Sequence, residues 1–284
     1  MKIGFLGYGE AARAFHEGLA GPGIAILAYD IKLSEAGTEM RDAMVARGAV
    51  VCDVIAGLAE ADWIFSAVTA DQSLLAMEPL LAHLRQGQLV IDINSVSPDR
   101  KRQTAAAVEG AGARYVDMAV MAPVHPRRHQ TPVLIACADA ALLLPELADL
   151  GFSASVAGEQ PGAATAIKMV RSLFVKGLEA ITVETLLAAR ASGCFDEILA
   201  SISGSYPGLD WPRFAEYQFE RTTTHGRRRA AEMRESAATL DALGLHGALA
   251  DAIADVQERM GHADAQRRDD LSATVDAVLK IRLG

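Results

Sequence analysis

Cysteine is scarce in this chain: Cys52, Cys137 and Cys194 are spread over 284 residues. Odd in number and far apart, they fit neither a disulfide framework nor a metal-ligand pattern. A reducing, cytoplasmic setting is therefore expected. Aromatic residues are only 5% of the chain, and alanine is plentiful, which favours helices. No apolar run reaches the ~20 residues that a membrane span needs, and no signal peptide is expected ahead of the first strand. Positive charge is in deficit, with 27 Lys and Arg against 36 Asp and Glu, a net charge of −9. That excludes a general affinity for nucleic acid or for an anionic membrane. Apolar residues are not lacking: 51% of the chain is hydrophobic and 22% charged, enough for a real core in one large or two ordinary domains.

The N-terminal stretch reads as strand, glycine turn, helix. An apolar run over 2–6 leads into Gly7-Tyr8-Gly9-Glu10-Ala11-Ala12, and helical spacing follows over 13–20. The spacing is GxGxxA. Gly7 serves the tight turn, Gly9 lets the backbone approach a pyrophosphate, and Ala12 lets the helix pack close to the strand. The helix N-terminus would turn free N–H groups towards the phosphates. A second strand over 24–29 ends in Asp30, about 20 residues on, where an acidic residue takes the ribose hydroxyls of NAD. Asp30 would repel a 2′-phosphate, which favours NAD; Lys32 keeps NADP open.

Alternation continues through the first half. Strands are expected over 49–52, 62–68, 88–93, 113–117 and 133–137, and helices over 36–47, 72–84 and 98–109. Repeated strand–helix units imply a mostly parallel sheet, whose ligands bind at the carboxyl ends of the strands. The residues there are Val68-Thr69, Asn94-Ser95, and the stretch from Asp117 through Met121 and Ala122. Asn94 and Ser95 would hold the nicotinamide or a substrate carboxylate. The loop Val124-His125-Pro126-Arg127-Arg128-His129 follows, and its cations would suit an anionic substrate through Arg127 and His129.

One long helix is expected over 163–190, about 40 Å at roughly 1.5 Å per residue. Its apolar residues, among them Ile167, Val170, Phe174 and Ile181, cover most of its circumference, which predicts a buried element. Lys168, Ser172 and Glu179 form a polar stripe on it, flanked by Arg171 and Lys176. Five further helices are expected, over 195–203, 211–221, 227–243, 248–260 and 269–282. Arg227, Arg228 and Arg229 would open the third of these as a basic cluster, read equally well as a solvated helix start. The charged run 264–270 reads as a solvated face. Together these features predict an α/β Rossmann domain over 1–160 followed by an all-α domain over 161–284.

These blocks resemble the β-hydroxyacid dehydrogenases, a family that includes 3-hydroxyisobutyrate dehydrogenase and 6-phosphogluconate dehydrogenase. Gly7 to Ala12 looks like its cofactor loop, and Asp92-Ile93-Asn94-Ser95-Val96-Ser97-Pro98 like its Asp-x-Ser-Thr-x-x-Pro block. Gly158 to Lys168 looks like its glycine-rich approach to a catalytic lysine. Departures are equally plain: Met121, Ala122 and Pro123 stand where the family has Ser-Gly-Gly, and Ser172 where it has Asn. The second half is similar to a less characterised branch. The resemblance implies NAD or NADP as cofactor, bound by Gly7, Tyr8, Gly9, Glu10, Ala11, Asp30, Lys32, Val68 and Thr69. It implies Lys168 as general acid/base, which wants a pKa near working pH, with Ser172 and Asn94 assisting. Ser95, Met121, Ala122, Arg127 and His129 would bind a small anionic hydroxy acid. It also implies a homodimer paired through the helical domains. Two other readings remain open: a reductase of imines or uncharged carbonyls, and a catalytically silent nucleotide-binding protein.

Overall fold

The computed structural model describes residues 1–35, 39–263 and 270–283. The chain forms two compact units, Met1–Lys168 and Met169–Gly284. Among the described residues no helix is long and apolar enough to cross a membrane.

The first unit is built on one eight-stranded sheet. Its strands are β1 (Lys2–Leu6), β2 (Ala25–Tyr29), β3 (Val50–Val51), β4 (Trp63–Ser66), β5 (Leu89–Asp92), β6 (Arg114–Val120), β7 (Val133–Ala136) and β8 (Ala154–Gly158). The order across the sheet is β3-β2-β1-β4-β5-β6-β7-β8, parallel except where β6 meets β7. The order reverses direction between β1 and β4, and that switch point opens the crevice in which doubly wound sheets bind ligands. Helices α1 (Glu10–Leu19), α2 (Met40–Val45), α3 (Ser73–Leu81), α4 (Pro98–Gly110) and α5 (Ala140–Asp149) fill the connections. Two cores result. One gathers Phe5, Phe15, Phe65, Ile91 and Phe152, and the other Leu58, Ile64, Leu80, Val90 and Tyr115. Strands buried on both faces explain the unbroken apolar runs in this half.

Sequence reasoning passed over two elements here. Helix α5 carries Pro145, a residue that reads as a breaker. Strand β8, Ala-Ser-Val-Ala-Gly, is short and made of small residues, so no alternation shows in it.

Helix α6 (Ala163–Ala191) begins in the first unit and continues through the second. The second unit adds α7 (Phe195–Ser205), α8 (Trp211–Ala242), α9 (Ala248–His262) and α10 (Leu271–Leu283). Its cores join Val183, Leu187, Phe219 and Val275, and Ala180, Met233, Ala250 and Ile253. The two helices expected over 211–221 and 227–243 are one 32-residue helix. Gly226 does not break it: this is where α9 crosses closest, and a Cβ on Gly226 would lie 2.2 Å from the Gln257 carbonyl oxygen. The basic cluster is therefore no helix start. Arg229 is buried and grips both oxygens of Glu179 through its Nε and Nη2, and Gln257 Nε2 donates to the same carboxylate at 2.8 Å.

The expected burial of α6 is also corrected. Ser172 and Glu179 of its polar stripe, with flanking Lys176, are buried and Lys168 is half-buried, while Val170, Phe174 and Ile181 are 52%, 73% and 66% exposed. Lys176 Nζ lies 2.9 Å from Glu232 Oε2, so the inward polar stripe is neutralised by partners on α8. Of the run 264–270, residues 264–269 lie outside the described residues, as do 36–38 at the start of the expected second helix.

Candidate active site

The turn between β1 and α1 is shaped by Gly7, at φ 85°. Only glycine sits there without strain, and a Cβ would also lie 2.6 Å from the Ala67 carbonyl oxygen. Gly7 N donates to Tyr29 O at 2.8 Å, which closes the turn onto the end of β2. Gly9 and Glu10 are exposed at the start of α1, and the space a Cβ of Gly9 would enter is open. That opening, beside the free N–H groups of a helix start, is what a pyrophosphate requires.

Asp30 ties the two ends of this crevice together. Its Oδ2 accepts from Tyr8 N at 2.7 Å and its Oδ1 from Lys32 N at 3.0 Å. Each carboxylate oxygen can accept more than one hydrogen bond, so ribose hydroxyls fit the same group. Tyr8 contributes backbone only. Its ring is fully buried under the loop, with its hydroxyl hydrogen-bonded to His16 Nδ1. Burial pushes the Tyr8 phenol up to about 12 and lowers the His16 imidazole, so the pair stays neutral.

Asn94, expected to assist catalysis, serves as a bracket between two strand ends. It is 4% exposed and spends both ends of its amide on the chain. Its Oδ1 accepts from Val68 N at 2.7 Å and its Nδ2 donates to Ser66 Oγ at 2.9 Å, fastening the end of β5 to the end of β4. Val68 is thereby fixed at the crevice edge, with Thr69 exposed beside it. Ser95 is different. Half-buried, it accepts a hydrogen bond from Lys168 Nζ at 2.6 Å. The strand-end serine and the helix-borne lysine thus meet, although 73 residues separate them.

Behind this pair lies a cluster that sequence reasoning missed. Lys101, on α4, is fully buried. Its Nζ donates to Asp92 O at 2.6 Å and lies 3.0 Å from Asp92 Oδ1 and 3.4 Å from Asp117 Oδ1. Tyr115 OH donates to Asp92 Oδ2 at 2.7 Å; burial first, then the Asp92 charge, raises that phenol well above its ordinary value. Asp117 Oδ2 accepts from Gly162 N and Thr165 N, both at 3.0 Å, and so caps the head of α6. The signal was present: Lys101, Thr104, Ala105 and Val108 fall at i, i+3, i+4 and i+7, the buried stripe of a helix.

Other expected contacts fall elsewhere. His129 is buried, edge-on to Phe152 at 5.3 Å, and so close to Gly18 of α1 that a Cβ there would meet its ring. Burial lowers its pKa, and it belongs to the core rather than to a substrate. Arg127 and Ala122 are exposed and Met121 half-buried. Ser172, expected to assist catalysis, is buried and accepts from Lys176 Nζ at 3.1 Å.

Residues 2–143, half of the chain, match the NAD binding domain of 6-phosphogluconate dehydrogenase. A conserved hypothetical protein from Sinorhizobium meliloti 1021 is 32% identical, with a TM-score of 0.75, over 99% of this chain and 96% of that one. The chain belongs to the β-hydroxyacid dehydrogenase family. Its first unit is accordingly an NAD(P)-binding domain, and the glycine turn and Asp30 fit that cofactor. Within the family, 2-(hydroxymethyl)glutarate dehydrogenase of Eubacterium barkeri is 26% identical over 226 residues, 77% of this chain and 73% of that protein. A 3-hydroxyisobutyrate dehydrogenase of Mycobacterium tuberculosis, solved with L-serine, shares the fold at 18% identity and a TM-score of 0.73, over 98% of each chain. Residues 189–260 match a domain of unknown function (DUF1932).

Proposed function

We propose that this protein is an NAD(P)-dependent dehydrogenase of a small anionic hydroxy acid, with Lys168 as general acid/base. The observation that carries the reading is the 2.6 Å hydrogen bond between Lys168 Nζ and Ser95 Oγ. It pairs an amine with a hydroxyl at the end of β5, on the edge of the sheet where the glycine turn also opens. With the cofactor's pyrophosphate held at that turn, its nicotinamide would accept or donate the hydride. Lys168 Nζ takes the proton from the substrate hydroxyl in oxidation and returns it to the carbonyl oxygen in reduction. Ser95 holds the amine in place between turnovers and is free to hydrogen-bond the substrate. Asn94 keeps Val68 and the β4 end fixed, so that the crevice does not relax when the cofactor leaves. A second copy of the chain is the proposed cover for the exposed apolar face of α6, Val170, Phe174 and Ile181.

The test is a panel of 3-hydroxyisobutyrate, L-serine and 2-(hydroxymethyl)glutarate with NAD and NADP, followed by nicotinamide absorbance. Turnover of at least one acid is expected. Lys168→Ala should reduce it by about 10²–10⁴-fold while cofactor affinity, measured by fluorescence titration, stays close to that of the parent. Full activity in that variant would remove Lys168 from the mechanism. Turnover of cyclic imines but of no hydroxy acid would replace the substrate class, and cofactor binding without any turnover would mark a silent protein.

A further inference from the structure

We propose that Lys101 is a positioning residue that sets the Lys168–Ser95 pair, an inference that rests on the reading of Lys168 as acid/base. Lys101 stands where two tethers meet, and each tether ends three residues from one member of the pair. The first runs from Lys101 Nζ to Asp92, at 2.6 Å to its carbonyl and 3.0 Å to Oδ1. That same Oδ1 accepts from Asn94 N at 2.8 Å, and Ser95 is the next residue. The second runs from Lys101 Nζ to Asp117 Oδ1 at 3.4 Å. The other oxygen of Asp117 holds Gly162 N and Thr165 N, and Lys168 follows Thr165 within one turn of α6. Thr165 Oγ1 adds a direct strap to Val96 O at 2.9 Å, on the far side of Ser95.

The charges explain why a cation is needed there. Asp92, Asp117 and Lys101 all have no solvent exposure. Two carboxylates side by side without the ammonium would repel each other in a medium that screens poorly. An apolar side chain would fill the volume of Lys101 without any cost of desolvating an ammonium. It could not draw the end of β5 and the head of α6 towards one point. Tyr115 OH, on Asp92 Oδ2 at 2.7 Å, fixes the carboxylate from behind, so the pull of Lys101 has a defined direction. The network is thus a spacer, and the distance it sets is that between Ser95 and the first turn of α6.

The experiment compares the parent with Lys101→Met and with Lys101→Met/Asp92→Asn, which keeps the net charge of the cluster and leaves Asp117 with its two amides from α6. Five quantities are read: the melting curve, the NADH dissociation constant, kcat and KM for the best acid of the panel, and the acylation rate of Lys168. The last is measured by peptide mass spectrometry with an amine-reactive ester and does not depend on turnover. The charge-balanced variant should fold and bind NADH like the parent. Its kcat should fall by about 10–100-fold, the cost of a misplacement near 1 Å, with KM little changed. Lys168 should acylate several-fold faster as its bond to Ser95 loosens. Parent-like kcat and acylation in the folded variant would overturn the proposal, as would a fall in kcat with Lys168 labelling unchanged. Failure of both variants to fold would also overturn it, since Lys101 would then serve the fold and not the pair. If the parent itself turns over no acid, the dehydrogenase reading fails, and the labelling rate alone decides the role of Lys101.

Discussion

At the scale of single residues, the first unit depends on polar groups kept out of water. His16 and His129 are both buried with imidazoles lowered by burial. Such a group is neutral when folded and takes its proton more readily when unfolded. As pH falls below the ordinary histidine value, the unfolded chain binds protons first, so stability is present above that value and is lost on acidification. Urea midpoints should therefore drop between pH 7.5 and 5.5, and His16→Asn/His129→Asn should show a flatter profile, although less stable throughout. An equal slope in parent and variant would place the effect elsewhere. Legibility at this scale was uneven. Gly7, Gly9 and Asp30 were readable because their chemistry is local: a turn, an opening and a strand end within 30 residues. His129 was misread because its loop looks cationic and exposed in sequence, whereas the missing side chain of Gly18 is what lets the ring turn inward. Lys101 showed only as one member of a buried helix stripe, and neither it nor Arg229 could be matched to a countercharge, because their partners are supplied by other elements, 50 residues away in the case of Glu179.

At the scale of elements, α8 and α9 show tertiary contact overriding local propensity. Thr222, Thr223, Thr224 and Gly226 are poor helix formers, yet the helix runs through them. Gly226 and Gly261 face each other at the crossing: a Cβ on Gly226 would meet Gln257 O, and one on Gly261 would lie 2.6 Å from Arg227 N. Gly226→Ala should destabilise the protein by about 1–3 kcal/mol, the usual cost of overpacking, and lower the melting temperature. Gly204→Ala makes the control, because that glycine lies in α7 with open space where a Cβ would go. It should be neutral or stabilising, by up to about 1 kcal/mol. If the two variants melt alike, the close crossing is not what holds these helices. Helix α6 was legible in extent but not in orientation. Its apolar circumference suggested burial nearly all round. Instead Lys176 and Glu179 find their countercharges in Glu232 and Arg229, and it is the apolar row that is left outside.

At the scale of the whole molecule, that inverted helix bears on assembly. Val170, Phe174 and Ile181 recur at spacings of four and seven, the stripe by which a helix meets another helix. Phe174→Glu/Ile181→Glu should shift the sedimenting species from dimer to monomer, with the parent dimeric at micromolar concentration; a monomeric parent would end the dimer proposal. Repeated strand–helix units made the α/β half legible as a class, and strandless sequence did the same for the helical half. Neither pattern fixes which side of α6 faces inward, because burial of a charged row depends on partners that no local window contains.

The joint between the two compact units has a consequence for anyone who would take the protein apart. It falls inside α6, between Lys168 and Met169. A cofactor half ended at residue 168 would carry a six-residue stub of that helix, far too short to hold itself together in water. Ended ahead of residue 162, it would leave Asp117 without the two amides it now accepts from. No seam therefore exists at which the cofactor half could be excised, swapped or grafted with its lysine in working order. On the proposed role of Lys168, turnover is expected of the uncut chain alone.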